Sequence, residues 1–327
     1  MSRISRRLAL LGTVVALLPS ALPATAADKI TVTGLNWDAA KVISQVLTQV
    51  MKNELGAPTA ILEADTKTSL ISMDAGDGKL DVFPDIWMPN QQKAWETYID
   101  TRKTIGHNAG YDAVQGFFLP TGTAQALGIS TIEDLKSPEI ARRFDTDGDG
   151  LGEYWAGEES WGATRLNRIK MKSYGLDDLW EPWIASNEDF KAALKSATQE
   201  GRPVIFYHWT PEWVFSVHDL TQVAEPAYYK GCDTVFTPSE RDDWLEASSF
   251  PCAFETSRVY VFHSRSLETR FPKAAEFLTR VSFDPAVING WVTETGVEGK
   301  EPAEVARDWL AANPATVDGW LGRAPAQ

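Results

Sequence analysis

The sequence predicts an α/β protein built as two lobes, and three observations predict it. Short apolar runs alternate with amphipathic helical stretches, the pattern of a mostly parallel sheet with helices on both faces. The chain has 327 residues, enough for two separate cores. The alternation changes texture after Pro120 and resumes at Arg258. The simplest arrangement inserts one lobe, residues 120–220, between two parts of the other, 27–119 and 221–327. The chain then crosses between lobes twice, and two crossings make a hinge over a ligand cleft.

Residues 1–26 stand outside this fold. Arg3, Arg6 and Arg7 form a basic start, Leu8 to Leu18 is apolar, and Ala24-Thr25-Ala26 is a small-residue cleavage site. That is a secretory signal peptide rather than a spanning helix. Ser5-Arg6-Arg7 faintly resembles a twin-arginine signal. No later stretch is long and apolar enough to span a bilayer, so the expected location of the mature protein is the periplasm.

Lys29 to Thr33 reads as a strand. Asp38 then caps a helix whose apolar face is Val42, Ile43, Val46, Leu47, Val50 and Met51. Ala60 to Glu63 is a strand, Lys67 to Met73 a short helix, and Leu80 to Phe83 a strand leading to Trp87. Asn90 caps a helix running to Tyr98, and Val114 to Leu119 is an apolar strand. In the middle part, Thr131 to Arg143 reads as helical, Asp145 to Glu153 as an acidic Gly-rich loop, and Ala163 to Tyr174 as a basic amphipathic helix. Ser186 and Asp189 form a capping box before the helix 188–200, and Pro203 to Tyr207 is a strand ending at Trp209. Arg258 to His263 is the last strand, followed by helices near 268–280, 285–294 and 303–312.

Composition excludes some functions. Hydrophobic content is 43% and charged content 23%, as in ordinary globular proteins. Net charge is −14, and −17 once the three leader arginines are removed. There is no basic stripe to displace phosphate counterions, which argues against nucleic acid. An anionic surface favours a cationic ligand. The two cysteines, Cys232 and Cys252, lie in the exported part and are expected to form a disulfide. It would close a loop of roughly 20 residues, worth about 3 kcal/mol.

Tryptophan carries the functional reading. Of 13, four sit in short Gly- or Pro-punctuated segments: Asn36-Trp37-Asp38, Ile86-Trp87-Met88-Pro89-Asn90, Ser160-Trp161-Gly162-Ala163 and His208-Trp209-Thr210-Pro211. Each reads as a strand end or helix start, where α/β proteins place ligands. Trp37 and Trp87 would come from one lobe, Trp161 and Trp209 from the other. Converging indole faces suit a bulky organic cation without N–H donors, at about 0.5 to 2 kcal/mol per desolvated face. Four faces supply at most ~8 kcal/mol, near what micromolar binding requires before association entropy is subtracted. A second anchor is therefore expected. Gly162 and Ala163 open a helix, whose free N–H groups would hold a carboxylate. Glu158 or Glu159, or Asp38, would face the positive charge, and Tyr111 would add a wall. The other nine tryptophans read as packing.

Asp145, Asp147, Asp149, the Leu151 carbonyl and Glu153 match the first half of a calcium loop, but Ala156 stands where its bidentate glutamate belongs. A structural calcium and an acidic surface loop held by Asx turns are both open. Histidines 107, 208, 218 and 263 show no metal spacing, and no hydrolase, zinc-protease or P-loop motif is present, which weakens an enzyme reading.

These segments, in this order, resemble the glycine betaine/choline-type periplasmic substrate-binding proteins of ABC importers. The resemblance rests on Asn36-Trp37, on Ile86 to Asn90, on Phe144 to Gly150 followed by Trp161-Gly162, and on Tyr207 to Pro211. It implies a type II-like two-lobe periplasmic binding protein fold, closure on ligand, and delivery to a membrane permease; the protein is expected to be a monomer. It also implies that Trp37, Trp87, Trp161 and Trp209 are cage walls and that Gly162 and Ala163 offer N–H groups. Many relatives carry Pro-Gly just before this tryptophan, where this chain has Glu159-Ser160. An acid there would favour choline or trimethylamine N-oxide over glycine betaine, the first expectation. The alternative is a calcium-stabilised carbohydrate-binding protein or glycan enzyme, whose tryptophans would form a flat platform.

Overall fold

The computed structural model describes residues 28–323; the expected export segment, residues 1–26, lies outside them. Among the described residues there are ten strands: β1 Ile30–Gly34, β2 Thr59–Glu63, β3 Val82–Met88, β4 Ile105–His107 and β5 Tyr111–Pro120 come first. They are followed by β6 Gly152–Gly157, β7 Trp180–Ile184, β8 Phe206–Thr210, β9 Leu220–Gln222 and β10 Ser257–Ser264. The strand order is β2-β1-β3-β10-β5-β8-β6-β7, with β4 on β10 and β9 on β5.

The joint between the halves is β5. Tyr111 to Ala113 pair with β10, and Val114 to Phe118 pair with β8. The expectation of a mostly parallel sheet is correct for the flanks, where β2/β1/β3 and β8/β6/β7 are parallel. It fails at the centre, where β10 is antiparallel to β3 and β5, and β5 to β8. The chain leaves the first half along β5 and returns along β10, so the two crossing segments run in opposite directions.

The first helix, Asp38–Asn53, buries the expected face of Val42, Ile43, Val46, Leu47, Val50 and Met51. It packs on the helices Pro285–Gly296 and Pro302–Ala312. Asp65 caps the helix Thr66–Ala75 by accepting from Thr68 N at 2.7 Å, and Gly76 ends it at φ 63°. The single helix expected over 131–143 is split into a 3-10 turn, Ile132–Lys136, and a short helix, Pro138–Ala141. Pro138 forces Ser137 into an extended conformation between them. Asn90 caps nothing. Its amide pairs with Gln115, and the following helix is three residues plus a π-helical turn, Trp95–Thr101.

The boundary expected at 220/221 is also corrected. Residues 223–254 do not rejoin the first lobe: Val223, Cys232, Phe250, Cys252 and Phe254 pack in one cluster with Phe117, Ile169 and Tyr207. A buried ion pair pins this segment. Lys170 of the helix Gly162–Ser173 has no exposed surface, and its Nζ lies 2.9 Å from Glu225 Oε1. The same ammonium donates to the Cys252 carbonyl and sits 4.3 Å from the Phe250 ring and 4.4 Å from Phe254. Cys232 and Cys252 form the expected disulfide. Among the described residues, no helix is long and apolar enough to cross a membrane.

Candidate functional site

The four loop-edge tryptophans meet. Trp37 stands just before the first helix and Trp87 near the end of β3; Trp161 precedes the helix Gly162–Ser173, and Trp209 lies in β8. Ring centroids are 6.1 Å apart for Trp37–Trp161, 5.2 Å for Trp161–Trp209 and 5.9 Å for Trp87–Trp209. The interplanar angles are 80°, 77° and 69°, so the rings stand as walls and not as a flat platform. The cleft they enclose is completed by Phe83, Ile86, Asn90, Gln91 and Tyr207. Trp155, buried and stacked on Phe190 at 3.9 Å, backs Trp161 edge-on at 5.6 Å.

Asp85 lies beneath the box and was not anticipated. It is 1% exposed. Its Oδ2 accepts from Trp37 Nε1 at 2.5 Å and from Trp87 Nε1 at 3.1 Å, while Oδ1 accepts from Tyr111 OH at 2.7 Å. Burial pushes the Asp85 carboxyl above the ordinary carboxylate range, against the pull of these three donors. In sequence, Asp85 was one more polar residue near a strand end. The readable signal was its position two residues before Trp87, on the same face of β3.

The other two indoles are held differently. Trp161 Nε1 donates to Asn36 Oδ1 at 3.2 Å, at the rim. Trp209 is 4% exposed, and its Nε1 has no partner among the described residues. Beside it lie Gly162 and Ala163, the first residues of a helix whose start has no side-chain cap. A Cβ on Gly162 would come within 2.8 Å of Gln91 Nε2, so glycine is what lets the helix start meet Gln91 here. Uncapped N–H groups at this helix start, on the lining of the cleft, offer donors to the negative end of a ligand.

Three expected contacts are not in the box. Tyr111 is a support under Asp85, not a wall. Asp38 is buried, but its carboxylate is engaged by Lys191 at 2.8 Å and Lys41 at 3.4 Å, pointing it away from the cleft. Glu159 is exposed. Its neighbour Glu158 acts instead, accepting from Asn36 Nδ2 across the lobes and from Asn187 N at 2.7 Å. Glu158 lines an adjoining cavity separated from the box by Trp37 and Trp161.

The acidic loop brings parts of the expected set together in two groups. The carboxylates of Asp145, Asp147 and Asp149 lie within 4.8 Å of one another, as do those of Asp147, Glu153 and Glu181. Its backbone forms Asx turns, with Gly148 N on Asp145 Oδ1 at 2.6 Å and Leu151 N on Asp149 Oδ1 at 2.8 Å. Ala156 is buried in β6 and provides no oxygen from its side chain, whereas Glu181 of β7 pairs with Glu153 across the strands. These are hard oxygen donors of the kind calcium takes. What sequence reading missed is β6 itself, hidden because the Gly-rich acidic run leads straight into it.

The sequence matches the family OpuAC, substrate binding domain of ABC-type glycine betaine transport system, over residues 28–312. It is 24% identical over 275 residues to the glycine betaine/proline betaine-binding periplasmic protein of Escherichia coli (strain K12), covering 80% of this chain and 79% of that one. It is 24% identical over 286 residues to the trimethylamine N-oxide-binding protein of Pelagibacter ubique (strain HTCC1062), covering 85% and 86%. In fold it is similar to an ABC-transporter choline binding protein in complex with choline, with a TM-score of 0.71, 18% identity, and coverage of 91% and 93%.

Proposed function

The chain belongs to the substrate-binding domains of ABC-type glycine betaine transport systems, and on that premise we propose that it captures a methylated quaternary ammonium osmolyte outside the cytoplasm and delivers it to the permease of its importer. Glycine betaine is the first candidate; choline and trimethylamine N-oxide, named for similar proteins, are the next. The observation that carries this reading is the box of four indoles contributed from both sides of β5. The onium head would sit among the ring faces, where spread positive charge meets the negative face of each π-system. The ligand's oxygen end would reach Trp209 Nε1 and the open N–H groups of Gly162 and Ala163. Steeply inclined rings speak against a sugar, which stacks on a platform. The test is a tryptophan-fluorescence titration against glycine betaine, choline, carnitine and trimethylamine N-oxide, with glucose and maltose as controls. Saturable quenching or enhancement by an onium compound is expected; a response to the sugars alone would overturn the reading.

A further inference from the structure

Asp85 is a carboxylate with no cation of the protein beside it among the described residues. Its hydrogen bonds come from two cage indoles and a tyrosine, all formally neutral donors. Among the described residues no lysine or arginine forms an ion pair with it, although Asp38 and Asp81, also buried, are paired, Asp38 with two lysines and Asp81 with Arg270. An isolated buried charge is costly unless an opposite charge is brought near. The open side of Asp85 is the box itself, since Asp85 lines the cleft.

Resting on the transport reading above, we propose that Asp85 is the specificity-determining counter-ion of the cage: it presents Trp37 and Trp87 as fixed walls through their N–H groups and supplies the negative charge that the bound onium head neutralises. Two consequences of the geometry follow. Accepting from an indole N–H pushes electron density toward the ring, which strengthens the ring face toward a cation. And the lone pairs of Asp85 are already committed to the indoles and Tyr111, so its charge is felt through space and not through a hydrogen bond to the guest.

The proposal separates charge from shape, and carbon isosteres test it. A tert-butyl group has the size of a trimethylammonium without its charge. Wild-type protein is titrated by calorimetry with choline against its tert-butyl alcohol analogue, and with glycine betaine against tert-butylacetate. The onium member of the pair is expected to bind about 100-fold tighter, the scale for unit charges about 6 Å apart at an effective dielectric near 20. In Asp85→Asn, which keeps an oxygen for the indoles and an N–H for Tyr111, that ratio is expected to fall to about tenfold or less, with tert-butyl affinity retained. Equal weakening of both members with the ratio unchanged would reduce Asp85 to a support for the rings and overturn the proposal. A wild-type ratio near one would do the same without requiring the variant to fold. If no methylated onium binds wild type at all, the transport reading itself fails; onium binding with a flat ratio removes only the counter-ion.

Discussion

The molecule holds two aromatic boxes for a positive charge, one occupied by its own lysine and one left open to the cleft. In the first, the Lys170 ammonium lies against Phe250, Phe254 and Tyr174, with Glu225 Oε1 at 2.9 Å and the Cys252 carbonyl accepting from it. In the second, four indoles surround the cleft, and the Asp85 carboxylate that lines it accepts its hydrogen bonds from two indoles and a phenol. The lysine box gives acceptors to a head group with N–H donors. The tryptophan box has spent its acceptor on its own walls. The difference teaches what each box selects: a primary ammonium would leave its donors unsatisfied in the second, whereas a quaternary one has none to satisfy.

The largest effect is expected from breaking the occupied box. Lys170→Met keeps the length of the side chain and removes the charge, leaving Glu225 buried with Tyr174 OH as its remaining donor at 2.8 Å. Removing one partner of a buried pair costs about 3 to 5 kcal/mol, a fall in melting temperature on the order of 10 °C. Ligand affinity of the folded protein should stay within about threefold, because among the described residues none of the four box tryptophans pairs with a ring at this site, and only Tyr207, through Phe254 at 6.3 Å, links the two. An unchanged melting curve would mean that the pair contributes no net stability.

Selection by the open box comes next. Ethanolamine has choline's hydroxyl and charge but three N–H donors, and burying it among indoles whose carboxylate is already committed to the walls should weaken binding by about 100-fold, the cost of leaving a charged donor or two poorly satisfied. Calorimetric titration of the two compounds checks this. Comparable affinities would show that Asp85, or a water, reaches the guest directly.

Truncating the walls is expected to cost less, because one face of four is lost. Trp87→Ala and Trp209→Ala should each weaken onium binding at least about tenfold, the scale of one desolvated cation–π contact, with the fold intact by circular dichroism. Trp87 should be the worse of the two if the Asp85 scaffold organises its half of the box, since its removal also frees a lone pair of a buried carboxylate. Wild-type affinity in either variant would place that ring outside the site.

Much of this was legible in the sequence. The four site tryptophans were legible from the Gly-, Pro- or Asn-punctuated segments that mark strand ends and helix starts, although Trp291 and Trp320 also follow a glycine and are buried packing residues of helices. The first helix was legible from its apolar spacing, Ser186 from its capping partner, and the disulfide from there being only two cysteines in an exported segment. The antiparallel centre was not, because β5 and β10 show the same apolar texture whichever way their partners run. Asp85 and Tyr111 were not read in their roles, since a carboxylate's value depends on which donors converge on it, and these come from residues 48, 2 and 26 positions away. Asp38 and Glu159 failed for the converse reason: proximity in sequence to a tryptophan does not fix where a side chain points.

A third buried carboxylate sharpens the comparison with the smallest expected effect. Glu212 is 1% exposed, and among the described residues neither of its oxygens has a hydrogen-bond partner of ordinary geometry. It has neither the cation that Glu225 has nor the donors that Asp85 has. Burial first, and then the charge of Asp38, push its carboxyl well above the ordinary value of 4.5, with Lys191 pulling the other way. A carboxyl whose pKa is raised on folding binds its proton more tightly in the native state, so its contribution favours folding at low pH and is lost as pH rises from the unfolded value toward the folded one. Glu212→Gln removes that dependence. The variant and wild type should melt together near pH 4, and the variant should melt higher, by about a few degrees, as pH rises from about 4.5 to 7. A gap of the opposite sign at pH 7 would mean that Glu212 is ionised and held by Lys191, and that this carboxylate, like Glu225, is a partner in an ion pair.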